Sequence, residues 1–92
     1  MNPIVAKRIV FQGQVQGVGF RYTSLRIAGH YEVSGFVKNL PDGTVEMVAQ
    51  GEKAEIDNCV SDIQDYFRGY IRDYTILEIP YNPSYMDFRI SY

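Results

Sequence analysis

The amino-acid sequence predicts an α+β fold in which two helices cover one face of an antiparallel sheet. A chain of 92 residues is the size of one domain. Apolar side chains follow an extended pattern in several short segments and switch to helical spacing in two others. Because 46% of the residues are hydrophobic, the chain can build a core without disulfides. We therefore expect residues 1–92 to form a single ordered domain.

The first half of the chain contains a strand, a glycine-rich loop and the start of a helix. Residues 5–11, VAKRIVF, carry apolar side chains on both faces, which is typical of a central strand. The loop GQVQGVG at residues 13–19 contains three glycines and ends this strand. A helical stripe begins at Phe20, and its members are Phe20, Ser24, Ile27, Ala28 and Tyr31.

The rest of the chain predicts a hairpin, a second helix and two further strands. Residues 33–39 and 44–50 read as strands joined by the turn LPDG. Residues 54–67 show the clearest helical spacing in the sequence. Strands follow at 75–79 and, after a loop rich in proline and asparagine, at 88–92.

The order of these elements is the split βαβ, or ferredoxin-like, arrangement with a short extra strand at the C-terminal end. The first helix carries the chain back along the sheet, so the strand at 33–39 runs parallel to the strand at 5–11, with the strand at 44–50 between them. The loop at 13–19 and the end of the second strand at Asn39 therefore lie at the same edge of the sheet. Two segments that are remote in sequence can form one site.

Charge and cysteine content limit the classes of function. Nine basic and eleven acidic residues give a net charge of −2, which argues against general binding to nucleic acid. Cys59 is the only cysteine, so there is no internal disulfide, and its place on a helical apolar stripe predicts an inert, buried thiol. Lys7 and Arg8 interrupt the apolar N-terminal stretch. We expect a cytoplasmic protein that does not bind membranes and acts as a monomer.

The glycine loop suits the binding of a small anion. Glycines let consecutive backbone N–H groups turn inward, and the start of a helix adds a partial positive charge. Arg21 lies in the first helical turn, where it opposes the helix dipole unless an anion satisfies both. The alternative is a flexible turn with a surface arginine paired to a carboxylate such as Asp42. Neither the P-loop nor the dinucleotide fingerprint is present, since Phe20 and Tyr22 stand where those motifs need other residues.

Three segments together resemble the acylphosphatase family: GQVQGVGFR at residues 13–21, GFVKN at 35–39 and PDGTV at 41–45. The resemblance extends in outline over nearly the whole chain. It implies an acylphosphatase, an enzyme that hydrolyses the mixed anhydride of acyl phosphates to carboxylate and inorganic phosphate without a metal or a cofactor. By position, Arg21 and Asn39 are the implied catalytic residues: Arg21 binds the phosphoryl group and Asn39 holds the attacking water. The backbone amides implied to line the phosphate cradle are those of Gln16, Gly17, Val18, Gly19 and Phe20.

The sequence departs from the family pattern at the end of the first helix. Such proteins usually place a glycine just past this helix, whereas Glu32 stands at that position here and Gly29 lies closer to the helix. Either Glu32 adopts a left-handed conformation or the helix stops early at Gly29.

Two other functions stay open at this point. One is a catalytically weak domain that keeps the cradle to bind carbamoyl phosphate or another small phosphate. The other is an RNA-binding module of the RRM type, which shares the order of strands and helices, with Phe36 as a stacking residue. The acidic composition disfavours that module. The sequence identifies neither the physiological acyl phosphate nor the group that accepts the proton of the water.

Overall fold

The computed structural model describes residues 2–92 and contains five strands and two helices. In chain order these are β1 (Ile4–Gly13), α1 (Phe20–Ala28), β2 (Ser34–Asn39), β3 (Val45–Glu52), α2 (Lys53–Tyr66), β4 (Ile71–Ile79) and β5 (Phe88–Ser91). The predicted α+β, ferredoxin-like fold and the order of its elements are confirmed.

The strands form one sheet in the order β4-β1-β3-β2-β5. Both β1 and β2 run antiparallel to β3, so they are parallel to each other with β3 between them, as the sequence predicts. β4 pairs antiparallel with β1, and the short β5 adds to β2 in the parallel direction. This topology brings the end of β1 and the end of β2 to the same edge.

The hydrophobic core lies between the sheet and the two helices. Alternate residues of the central strands point into it, among them Ile9, Val37 and Met47, which are fully buried. α2 contributes Ile56, Cys59, Val60 and Ile63 from one stripe. The apolar residues that the sequence shows at helical spacing therefore lie on the face of α2 that packs on the sheet.

The structure resolves the end of the first helix in favour of an early stop. α1 ends at Ala28, and Gly29 follows in a right-handed conformation with a φ of −63°. No residue other than glycine within residues 2–92 has a positive φ, so Glu32 is not left-handed. Its backbone N–H instead donates to Oε1 of Glu55 at 2.8 Å.

β4 is longer than the sequence pattern indicates. The prediction began this strand at Thr75, whereas it begins at Ile71. The first part of β4 contains the charged residues Arg72 and Asp73 and shows no apolar alternation. A strand at the edge of a sheet exposes its side chains, so its sequence need not alternate. In the described part of the chain, neither helix is long and apolar enough to cross a membrane.

The segment between β4 and β5 is held to the sheet by one buried side chain. Gln50 is only 2% exposed, and its Nε2 donates to the carbonyl of Asn82 at 2.6 Å. The N–H of Asn82 donates back to Oε1 of Gln50 at 3.1 Å. Both functions of the carboxamide are thus satisfied by one residue of the loop.

Candidate active site

The loop between β1 and α1 is fixed at its start and open at its centre. Val15 is fully buried in the core, and the N–H of Gln14 donates to the carbonyl of Tyr70 at 2.9 Å. Gly17 and Gly19 have φ values of 77° and 78°, and an added Cβ at either would meet nothing within 4 Å. These glycines are therefore required for the shape of the backbone and not for space.

The first residues of α1 are held by aromatic packing. Phe20 is 2% exposed, and its ring centroid lies 5.0 Å from that of Phe11 and 4.5 Å from that of Phe67. Gly19 is the N-cap, no side chain caps the helix, and the first turn contains no acidic residue. The N–H groups at this helix start are therefore available to an anion. Since Phe20 is fixed in the core, the backbone of the adjacent Arg21 is fixed as well.

Asn39 is the last residue of β2, where it pairs with Val45 of β3. Its Oδ1 is buried and has no hydrogen-bond partner within residues 2–92. A buried carbonyl oxygen without a partner costs about 1 to 3 kcal/mol, so its presence needs an explanation.

A cavity of about 180 Å³ brings these segments together. Of the predicted site residues it includes Gly17, Gly19, Phe20, Arg21 and Asn39. The other residues that line it are Val15, Tyr22, Ile90 and Tyr92. Two predicted residues, Gln16 and Val18, are not among those that line it.

Tyr92 is a site residue that the sequence analysis missed. The Cζ atom of Arg21 lies over its ring, 5.2 Å from the ring centroid. In the sequence Tyr92 is one of many tyrosines in the C-terminal half. Only the parallel pairing of β5 with β2 places it beside Arg21.

Arg21 and Asp42 do not pair, although the sequence left that possibility open. Within residues 2–92, Arg21 forms no salt bridge. Asp42 instead accepts hydrogen bonds from the hydroxyl and the N–H of Thr44, at 2.6 and 3.0 Å. These bonds, led by that of the hydroxyl, lower the pKa of Asp42 below its usual value. Arg21 therefore lines the cavity beside Tyr92, and no salt bridge in the described chain neutralises its guanidinium.

A larger cavity of about 460 Å³ lies along β5 and the preceding loop. Its aromatic wall is Phe36 and Tyr85, whose ring centroids are 5.9 Å apart. Its guanidinium, that of Arg89, is already bound to Asp87 at 2.7 Å. The smaller cavity is therefore the better candidate for anion chemistry, since its cation is not neutralised.

Comparison with known proteins identifies the family of the chain. The sequence model of the acylphosphatase family matches residues 7–90. The chain belongs to the acylphosphatase family. An acylphosphatase of Chlorobaculum tepidum is 41% identical over 83 residues, which are 89% of this chain and 90% of that protein. The family and the enzyme class predicted from the sequence, acylphosphatase, are thereby confirmed.

Solved structures with this fold include an acylphosphatase and part of a much larger protein. The crystal structure of the acylphosphatase from Bacillus subtilis superposes with a TM-score of 0.86 at 32% identity, covering 96% of this chain and 99% of that one. Full-length HypF in a phosphate- and nucleotide-bound form also gives a TM-score of 0.86, at 29% identity. That match covers 99% of this acylphosphatase chain but only 12% of HypF. The acylphosphatase fold thus occurs both alone and inside a larger chain.

Proposed function

We propose that this protein hydrolyses the carboxyl–phosphate anhydride of small acyl phosphates by in-line attack of a water molecule. The products are a carboxylate and inorganic phosphate. The observation that carries the proposal is the meeting of Arg21, the glycine loop and Asn39 at one cavity in a chain of the acylphosphatase family. Within residues 2–92, Arg21 forms no salt bridge. The buried Oδ1 of Asn39 has no hydrogen-bond partner there.

Arg21 and the loop amides bind the phosphoryl group in this proposal. Negative charge spreads over three equatorial oxygens in the transition state of phosphoryl transfer. A planar guanidinium donates to two of these oxygens at once, and the fixed N–H groups of residues 16–20 surround the group without reorganising. Such preorganised donors stabilise the transition state more than water does, because their dipoles already point at the developing charge.

Asn39 orients the attacking water. A carboxamide both accepts and donates hydrogen bonds, so it can fix the orientation of a water molecule, and it does not titrate. The buried Oδ1 without a protein partner supports this role, since a bound water would satisfy it. The same atom facing only apolar groups would be costly.

The leaving group needs no protein acid. A carboxylic acid has a pKa of roughly 4 to 5, by analogy with Asp and Glu, so the carboxylate departs without a proton. No carboxyl, imidazole or thiol side chain is among the residues that line the cavity in the described chain. We propose that a phosphoryl oxygen of the substrate accepts the proton of the water.

The proposal is tested by an assay with a chromophoric acyl phosphate in excess chelator. We expect hydrolysis by the wild type and a loss of about 100- to 1,000-fold in kcat/KM for Arg21→Ala, as for removal of one preorganised donor. Arg21→Lys should recover little, because an ammonium is a point charge and does not bind two oxygens in a fork. The matched control is Arg26→Ala, an exposed arginine of the same helix.

The Asn39→Ala variant tests the orientation of the water separately from the binding of phosphate by the loop. We expect kcat to fall by about 100-fold, the scale for a misplaced reacting group, while the inhibition constant for inorganic phosphate changes little. Asn58→Ala, on the exposed face of α2, is the control. Phosphate binding without turnover in the wild type would instead identify the protein as a small-phosphate binding domain.

A further inference from the structure

Gln16 does not line the cavity, and its side chain binds the turn between β2 and β3. Its Nε2 donates to the carbonyl of Leu40 at 2.8 Å and to the carbonyl of Thr44 at 2.9 Å. A carboxamide nitrogen carries two hydrogens, so both donors are used. Gln16 is the first residue of the proposed phosphate cradle at residues 16–20, here called the phosphate loop, and Leu40 directly follows Asn39.

The turn that Gln16 binds is itself stiff. The N–H of Leu40 donates to the carbonyl of Thr44 at 2.9 Å, and the N–H of Gly43 donates to the carbonyl of Leu40 at 3.2 Å. Asp42 closes the turn from the other side by accepting two bonds from Thr44. The carbonyls of Leu40 and Thr44 are therefore fixed relative to Asn39, because the backbone hydrogen bonds between β2 and β3 continue up to the pair Asn39 and Val45.

The phosphate loop has few other restraints on this side. A Cβ added at Gly17 or Gly19 would meet nothing within 4 Å, and Val18 is 37% exposed. Across residues 2–92, the hydrogen bonds that join the loop to the β2–β3 turn are the two donated by Gln16. Without them, the loop is held only at its two ends, Val15 and the start of α1, so the amides between these ends are less firmly fixed relative to Asn39.

We propose that the Gln16 carboxamide is the positioning residue that holds the phosphate cradle in register with Asn39. The inference rests on the proposed function, since it assigns Gln16 to the alignment of the water with the phosphorus atom. Its side chain contacts neither substrate nor water. It acts through the backbone of the turn, and it therefore affects the rate of attack more than the binding of the anion.

The test compares Gln16→Met with Gln14→Met. Methionine keeps the length of the side chain and removes both donors. Gln14 is exposed two residues earlier in the same loop, and its side chain forms no hydrogen bond in the described chain, so it is the matched control. For Gln16→Met we expect kcat on the acyl phosphate to fall by about 10- to 100-fold, the scale for a reacting group displaced by up to 1 Å. The inhibition constant for inorganic phosphate should stay within about threefold of the wild type, because Arg21 and the loop amides remain.

A double-mutant cycle with Asn39→Ala decides whether Gln16 acts through Asn39. If it does, Gln16→Met lowers kcat by less than about threefold in the Asn39→Ala background, since the aligned water is already lost. Two effects that multiply would overturn the inference, as would a folded Gln16→Met variant with the kcat of the wild type. A merely structural glutamine would lower the thermal midpoint and would weaken phosphate binding together with kcat.

Two further outcomes complete the test. If Gln16→Met does not fold, Gln16→Asn replaces it, because its shorter side chain retains polarity but does not reach both carbonyls. Failure of both variants to fold makes Gln16 a structural residue and overturns the inference. A wild type without hydrolysis refutes the proposed function itself, whereas an active wild type with a slow Asn39→Ala variant and an unaffected Gln16→Met variant refutes only the role of Gln16.

Discussion

The guanidinium of Arg21 stacks on the ring of Tyr92, with Cζ 5.2 Å from the ring centroid. Tyr92 is 89% exposed, so this cation–π contact is worth about 0.5 to 1 kcal/mol, the range for exposed sites. We expect Tyr92→Ala to raise the inhibition constant for inorganic phosphate about two- to fivefold, because the arginine loses a contact that restrains it. Tyr92→Phe keeps the ring and should match the wild type. Equal weakening by both substitutions would show that the hydroxyl, and not the ring, matters.

Gly19→Ala should reduce activity through the backbone alone. An alanine there meets no neighbour, but the φ of 78° costs a side chain about 1 to 2 kcal/mol. Relaxation of this strain should move the loop amides away from the position proposed for the phosphoryl group. Gly69→Ala is the matched control, since Gly69 has a φ of 97°, equally open surroundings and a place outside the cavity. We expect similar losses of unfolding free energy in urea titrations and a large loss of hydrolysis for Gly19→Ala alone.

Gln50→Leu should destabilise the protein by about 2 to 4 kcal/mol, since it leaves both the N–H and the carbonyl of Asn82 without a partner. Gln64→Leu is the control of identical chemistry. The Nε2 of Gln64 is buried without a hydrogen-bond partner in residues 2–92, so its removal should be neutral or stabilising. Chemical denaturation of the two variants measures the difference. Equal stability losses would contradict the role of Gln50 in holding the loop.

Stability should fall in alkaline solution above pH 9. Burial raises the pKa of the Cys59 thiol from 9.0 to about 12, and the hydrogen bond to Asp62 raises the pKa of Tyr31 from 10.0 to about 12. The unfolded chain therefore releases these protons at lower pH than the folded chain does, and the free energy of unfolding decreases from about pH 9 to pH 12. Urea titrations at pH 8 and pH 10.5 should show this decrease. The decrease should be smaller for Cys59→Ala, even though that variant is less stable at pH 8.

The sequence predicted the architecture well, because each element carries a strong local pattern. The alternation in β1 and the helical stripe of α2 reflect burial against one core, and the turn at Pro41 to Thr44 fixes the hairpin. The start of β4 was not predicted, because most side chains of this edge strand are exposed and apolar and polar residues therefore do not alternate along it. The end of α1 needed the structure, since sequence allowed both a left-handed Glu32 and an early stop.

For the site, the sequence predicted the residues that belong to motifs but not the contacts between side chains. Arg21 and Asn39 come from motifs, and the topology alone predicts that they share an edge of the sheet. The contact between Tyr92 and Arg21 depends on the parallel pairing of β5, which spans only four residues and leaves little trace in the sequence. The bonds of Gln16 depend on the rotamer of one side chain, and no pattern of residue types specifies a rotamer.

Phe20 links the thermal stability of this protein to its rate of catalysis. It directly precedes Arg21, and its buried ring packs between those of Phe11 in β1 and Phe67 just after α2. Substitutions at Phe11 or Phe67 should for this reason lower the thermal midpoint and the rate of hydrolysis together. Changes that raise stability and leave the rate unchanged should be sought in β4, the edge strand that contributes no residue to the cavity lining in the described chain.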